Sequence, residues 1–207
     1  MRCGKMTKIK ICGLTRPEDI AAANAAMPDY IGFMFARRSR RYIAPERAAA
    51  LRILLADGIL SVGVFSDAEE DEIAAVARAG TIDIIQLHGG ESREFASRIG
   101  ERTGLPVIKA VSVTEPDAER SLALWDASDV SCILADSGSG GTGKRFGKMH
   151  IKTVKPLFVA GGITPDNVAE TIETYSPYAV DVSSGVETNG IKDGGLMLEI
   201  VRRVRNA

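Results

Sequence analysis

The segment Ser137-Gly138-Ser139-Gly140-Gly141-Thr142-Gly143-Lys144-Arg145-Phe146 matches the spacing G-x-x-x-x-G-K from Gly138 to Lys144, and it follows an apolar run, Cys132-Ile133-Leu134-Ala135. Strand, glycine-rich loop and lysine are the parts of a nucleotide-binding P-loop, whose next residue is a serine or threonine that ligates magnesium. Here that position is Arg145, and a guanidinium cannot ligate a cation. The nucleotide reading therefore falls. Anion chemistry remains open at two other places. Gly161-Gly162 stands directly before Thr164-Pro165-Asp166, a helix opening, and Ser183-Ser184-Gly185 follows another apolar run. Backbone N–H groups in such loops and at helix N-termini favour a phosphate. A single glycine pair would read as an ordinary turn; two such loops in succession point to a phosphorylated small substrate.

Charge and cysteine usage narrow the classes further. The 207 residues carry a formal net charge of −1, so neither a nucleic-acid nor a membrane-surface partner is expected. The basic run Arg37-Arg38-Ser39-Arg40-Arg41 reads, on composition, as a solvated loop. Cys3, Cys12 and Cys132, with His88 and His150 as the only histidines, have neither a disulfide framework nor metal-ligand spacing. No metal site is expected. With no signal-like stretch at the N-terminus and no apolar run of ~18 residues, the expectation is a cytoplasmic protein.

Positioning such groups requires a scaffold, and its elements are legible. Eight short, β-branched, nearly continuous apolar runs occur at Ile9–Cys12, Tyr30–Phe35, Leu60–Phe65, Asp83–Leu87, Val107–Val111, Cys132–Ala135, Leu157–Ala160 and Ala179–Val182. Strands covered on both faces have this character. Between them lie helical stretches opened by proline or acid: Pro17 to Ala26, Ala48 to Leu55 after Pro45-Glu46, Ala68 to Ala79, Ser92 to Arg102 and Pro165 to Tyr175, with Leu196 to Arg205 closing the chain. The alternation predicts an α/β protein, a single small (β/α)8 barrel over residues 1–207, with residues 1–6 an irregular N-terminal extension. A doubly wound open sheet shows the same alternation and is the rival. In a barrel the chemistry sits at the C-terminal ends of the strands. The polar residues there are Cys12, the Arg37–Arg41 loop, Ser66-Asp67, His88, Ser112, Asp136, Gly161-Gly162 and Asp181 through Gly185.

Several motifs then occur in a fixed order: Lys10-Ile11-Cys12-Gly13-Leu14-Thr15, Gly32-Phe33-Met34-Phe35 with Ser39-Arg40-Arg41-Tyr42, Val62-Gly63-Val64-Phe65, Gln86-Leu87-His88-Gly89, and Asp136-Ser137 with Gly140-Gly141-Thr142-Gly143-Lys144. Val159-Ala160-Gly161-Gly162-Ile163-Thr164-Pro165-Asp166-Asn167-Val168 and Asp181-Val182-Ser183-Ser184-Gly185-Val186-Glu187 complete the series. The ordered set resembles the phosphoribosylanthranilate isomerase family of tryptophan biosynthesis, from about Met6 to the C-terminus. The resemblance implies a cofactor-free Amadori rearrangement of N-(5-phosphoribosyl)anthranilate to 1-(2-carboxyphenylamino)-1-deoxyribulose 5-phosphate. It implies Cys12 as general base, Asp136 as general acid and Arg41 beside the anthranilate moiety, with Arg40 the competing candidate. His88 and Asp181 are candidate substrate contacts, each with a structural alternative, and Gly161, Gly162, Ser183, Ser184 and Gly185 are the phosphate loops. Ser137 and Lys144 are expected to shape the loop after the sixth strand.

Both catalytic roles demand shifted protonation. A thiol of pKa ~8.5 needs its charged form stabilised to serve as base. A carboxyl of reference pKa ~3.9 must hold a proton near neutrality, for which burial is the expected cause. The sequence departs from the family pattern at Arg145-Phe146-Gly147-Lys148, where a Thr-Phe-Asp-Trp stretch is common, and in the arginine-rich stretch Ala36–Arg41. The rivals are another phosphosugar isomerase or epimerase, for which catalytic lysine, glutamate or a histidine cluster would be expected, and a non-catalytic phosphate-ligand sensor. The expected partner is the small phosphoribosyl anthranilate substrate, and a monomer is favoured over a dimer.

Overall fold

The computed structural model describes residues 6–138 and 151–207. Eight parallel strands close into a barrel in sequence order: β1 (Lys8–Cys12), β2 (Tyr30–Met34), β3 (Leu60–Phe65), β4 (Ile84–Leu87), β5 (Val107–Ser112), β6 (Cys132–Asp136), β7 (Leu157–Ala160) and β8 (Ala179–Val182). The closed order excludes the open doubly wound sheet. Closure is made by β1 and β8, paired Lys8↔Ala179, Ile9↔Val180, Lys10↔Asp181 and Ile11↔Val182. Seven helices, α1 (Pro17–Ala26), α2 (Pro45–Arg52), α3 (Glu70–Arg78), α4 (Arg93–Thr103), α5 (Ala118–Asp126), α6 (Val168–Tyr175) and α7 (Gly194–Arg205), stand among the described residues. None of these helices is long and apolar enough to cross a membrane.

Alternation along each strand divides the apolar residues into two layers. Ile9, Ile11, Ile31, Phe33, Ile85, Leu87, Ile133 and Val180 face outward into the shell beneath the helices. Tyr30, Val62, Val64, Ile108, Leu134 and Phe158 fill the barrel interior. At its N-terminal end Lys8 Nζ lies 5.5 Å and 5.1 Å from the ring centroids of Tyr30 and Tyr178, and Phe158 packs against both rings. That plug leaves the opposite rim as the open mouth.

Local chemistry explains where the helices begin and end. Asp19 accepts from the backbone N–H groups of Thr15 and Arg16, fixing the start of α1. Ser92 caps α4 by accepting from Phe95 N, and Gly104 ends it in the left-handed region. Asp193 caps α7 through Gly195 N and Leu196 N, while Arg202, Arg203 and Arg205 occupy the negative end of its dipole. Three expected helices prove shorter: α2 stops at Arg52 rather than Leu55, α3 runs Glu70–Arg78 and α6 starts at Val168 rather than Pro165. The last has a clear cause. The Asn167 side chain accepts from Thr164 N and donates to Gly162 O, holding the intervening residues in a turn.

Two features lie beyond the sequence expectation. Helix α5 follows Glu115-Pro116-Asp117 and buries Ala118, Leu122 and Trp125 at helical spacing. After β8 comes a 3-10 turn (Ser184–Val186) and a small antiparallel hairpin, β9 (Glu187–Thr188) and β10 (Ile191–Lys192). Its turn residues, Asn189 and Gly190, both have positive φ, the geometry of a two-residue hairpin.

Phe65 is fully buried and its ring stacks on Phe35 at a centroid distance of 5.0 Å. Phe65→Ala is expected to lower unfolding free energy by about 3–5 kcal/mol, read from the urea midpoint at unchanged slope.

Candidate active site

Cys12 ends β1 with its side chain turned into the barrel and is 5% exposed. Its neighbour across the ladder is Gly32, where a Cβ would stand 2.6 Å from the thiol sulfur; only glycine leaves that room. Ser183 Oγ donates to the carbonyl of Cys12 at 3.1 Å. Burial pushes the Cys12 thiol above its ordinary value, and Asp181 adds to the rise, while Lys10 and Lys192 pull it down.

Asp136 ends β6 on the same rim. Its Oδ2 faces His88 Nε2 at 3.1 Å, and its Oδ1 accepts from Gly138 N at 3.0 Å. Burial drives this carboxyl upward, as expected from the sequence. The His88 and Gly138 hydrogen bonds, with the charges of His88 and Lys10, outweigh it, so the net shift is downward. The expectation of a raised Asp136 is therefore corrected for the ligand-free protein: the partners, not the burial, decide the sign. His88 is anchored in turn. Gln86, two residues earlier on β4, lies 2.9 Å from His88 Nδ1. The loop beyond His88 is clamped by Glu91, which accepts from Gly89 N, Asp67 N and Lys109 Nζ.

Arg41 resolves the competition within the basic run. Arg37, Arg38 and Arg40 are exposed, whereas Arg41 is half-buried. Its Nε and Nη2 donate to the two oxygens of Glu187 at 2.7 Å and 2.8 Å, a bidentate pair of the strong kind. Asp181, on β8, pairs through Oδ2 with Lys10 Nζ at 2.8 Å, and its Oδ1 is buried without a partner. Asp181 thus ties strands β1 and β8 and still presents one unused acceptor.

The two loops expected to hold a phosphate are neighbours at the ends of β7 and β8. Gly161 and Gly162 have φ of 110° and 63°, conformations that glycine alone adopts cheaply, and a Cβ on Gly161 would meet Ser137 Oγ at 1.9 Å. Gly185 packs directly on the carbonyl of Ile163, bringing the second loop against the first. Among the described residues, no protein acceptor takes the backbone N–H of Gly162, Ser184 or Gly185. Such groups suit an anion. The hydroxyl of Ser183 is engaged by Cys12, so what this residue offers a ligand is its backbone.

The other rim residues are less involved: Ser66, Asp67 and Ser112 are exposed, and Asp67 Oδ1 holds Gly90 N. Lys144 and the glycine-rich stretch from Ser139 onward, together with Arg145-Phe146-Gly147-Lys148, lie outside the described residues. Among the described residues, no group of three histidine, cysteine, aspartate or glutamate side chains is placed to hold a metal ion.

A thiol, a carboxyl, a guanidinium already paired with a carboxylate and two adjoining glycine-containing loops thus gather at the C-terminal end of the barrel. A sequence profile of the family described as N-(5'phosphoribosyl)anthranilate (PRA) isomerase matches residues 9–203. The chain belongs to this family. The N-(5'-phosphoribosyl)anthranilate isomerase of Endomicrobium trichonymphae is 43% identical over 206 residues, covering 97% of this chain and 100% of that protein. The phosphoribosyl anthranilate isomerase from Thermus thermophilus superposes with a TM-score of 0.85 at 33% identity, covering 97% of this chain and 99% of that one. A second isomerase structure, in complex with reduced 1-(o-carboxyphenylamino)-1-deoxyribulose 5-phosphate, does so with a TM-score of 0.81 at 35% identity over 98% and 100% of the two chains.

Four residues packed against the candidate site have no role assigned from the sequence: Lys10, Gln86, Glu187 and Lys192. Lys192 Nζ donates to Ser183 O and Glu187 Oε1 at 2.8 Å and 2.5 Å. Lys10 stands two residues before Cys12 on β1, hence on the same face, and Gln86 two residues before His88, which follows β4 directly; that spacing was the available signal. Glu187 and Lys192 flank the Asn189-Gly190 turn, itself a hairpin signal.

Because His88 is the first counterweight to burial at Asp136, His88→Ala is expected to raise the Asp136 pKa. Below that higher value the carboxyl stays protonated, so the carboxyl-carbon NMR titration of Asp136 moves to higher pH; an unmoved titration would show that Gly138 and Lys10 suffice.

Proposed function

We propose that this chain catalyses the isomerisation of N-(5-phosphoribosyl)anthranilate to 1-(2-carboxyphenylamino)-1-deoxyribulose 5-phosphate, a step of tryptophan biosynthesis, with Cys12 as general base and Asp136 as general acid. The observation that carries the residue assignment is the convergence of Cys12, Asp136 and Arg41 with the β7 and β8 loops on one rim of a family barrel. The phosphate seats on the backbone N–H groups of Gly162, Ser184 and Gly185. Arg41 gives Nε and one Nη2 proton to Glu187, and its Nη1 with the second Nη2 proton is the edge that takes the anthranilate carboxylate.

Chemistry then runs across the mouth. Asp136 delivers a proton to the furanose ring oxygen; the C1–O bond breaks and the amine lone pair forms the Schiff base. Cys12, as thiolate, removes the proton from C2, and the electron pair makes the C1=C2 bond of the enolamine while nitrogen recovers its own pair. Reprotonation at C1 with formation of the C2 carbonyl gives the ketone. A ring oxygen presents lone pairs only, so once it faces Asp136 it favours the protonated carboxyl. Bound substrate thereby reverses the balance that His88 sets in the free protein. Asp181 Oδ1, the unused buried acceptor, is available to a sugar hydroxyl. A monomer is the proposed working unit, which sedimentation equilibrium measures.

The test follows the fluorescence of freshly generated phosphoribosylanthranilate, in chelator, for wild type and variants of verified fold. Cys12→Ser and Asp136→Asn are each expected to lose about 10²–10⁴-fold in kcat. Arg41→Met is expected to lose about 10–100-fold in kcat/KM. A folded wild-type protein without turnover would overturn the reading.

A further inference from the structure

Lys10 is wholly buried inside the barrel, two residues before Cys12 on the same face of β1. An ammonium in such a place costs several kcal/mol to desolvate and persists only where anions offset that cost. Asp181 supplies one, at 2.8 Å. Burial pulls the Lys10 ammonium down, but the Asp181 carboxylate hydrogen-bonded to it and the nearby Cys12 hold it above the ordinary lysine value.

The charges that face Cys12 come from four elements. Lys10 is on its own strand, Asp181 on β8, Lys192 on β10, and Arg41 in the loop after β2. Glu187 is the shared partner of Arg41 and Lys192. Two groups result: Lys10 with Asp181, a one-to-one pair that also lies within reach of the Asp136 charge, and Arg41 and Lys192 sharing Glu187, with one cation in excess. Consistent with a surplus of cation, burial together with the Arg41 charge draws Lys192 below the ordinary lysine value despite Glu187.

We infer that Lys10 is the charge partner of the Cys12 thiolate, and that Asp181 holds it there. The pair acts as a positioning device that sets how readily Cys12 gives up its proton. The inference rests on the reading of Cys12 as base. The Lys10 ammonium, with three donors, serves Asp181 and the sulfur together. Lys10 touches no substrate atom in this role; it acts through Cys12.

Thiolate absorbance at 240 nm, followed against pH in a Cys3→Ser/Cys132→Ser background, isolates Cys12. Lys10→Met is expected to move the midpoint to higher pH, with the thiolate fraction at neutrality falling tenfold or more. Asp181→Asn, which keeps the side-chain volume, is expected to move it to lower pH, and Lys10→Arg to restore it. A merely structural pair would leave the midpoint in place or shift it the same way in Lys10→Met and Asp181→Asn, and either result overturns the inference. Should Lys10→Met fail to fold, the direction in Asp181→Asn alone decides. Turnover of Cys12→Ser separates the two ideas. Opposed midpoints with an active Cys12→Ser would retain the charge pairing and remove the base assignment; unmoved midpoints with an inactive Cys12→Ser would do the reverse.

Discussion

The register between β1 and β8 is the constraint on which the site depends. It closes the barrel, and in closing it sets Lys10 opposite Asp181. A slip of one residue would turn Lys10 and Cys12 out into the apolar shell and put Ile9 and Ile11 inside. The buried ion pair makes that slip costly, because each charge would lose its only close counter-ion in a medium that does not solvate it. The same ladder therefore specifies a fold and aims a thiol. Gly32 on the other side of β1 and Ser183 beyond β8 complete the setting, one by leaving space and one by holding a carbonyl.

The two reactive groups are tuned by opposite means. Cys12 lies in a dry layer where burial resists the charged form and cations must be brought to it. Asp136 lies where a histidine and a backbone N–H hold the charged form until a ligand changes what it faces. Both are at strand ends, so their separation is fixed by the barrel and not by loops. The groups proposed for binding are on loops instead: Arg41 from the β2 side, and the paired loops after β7 and β8.

Much of this was legible in the sequence because local signals agreed with the global architecture. The eight strands announced themselves as short β-branched runs, and Cys12 and Asp136 stand at the ends of β1 and β6, where the alternation puts them. What stayed hidden had physical reasons. Lys8-Ile9-Lys10-Ile11-Cys12 has the alternation of a half-exposed strand, and nothing local says that its polar face is the interior of a closed barrel. The His88 contact that reverses the sign at Asp136 spans two strands, and composition near Asp136 carries no trace of it. The shortened α6 reflects a side chain competing with the backbone for its hydrogen bonds. The hairpin after β8 consists of strands of two residues, below the length at which periodicity means anything; its Asn-Gly turn was the only cue.

Ser183 belongs at once to the loop that would grip a phosphate and to the support of Cys12: its hydroxyl holds the Cys12 carbonyl and its own carbonyl takes Lys192. Under the proposed roles, the holding place and the base are joined through this one residue, so a change at Ser183 would be felt at both.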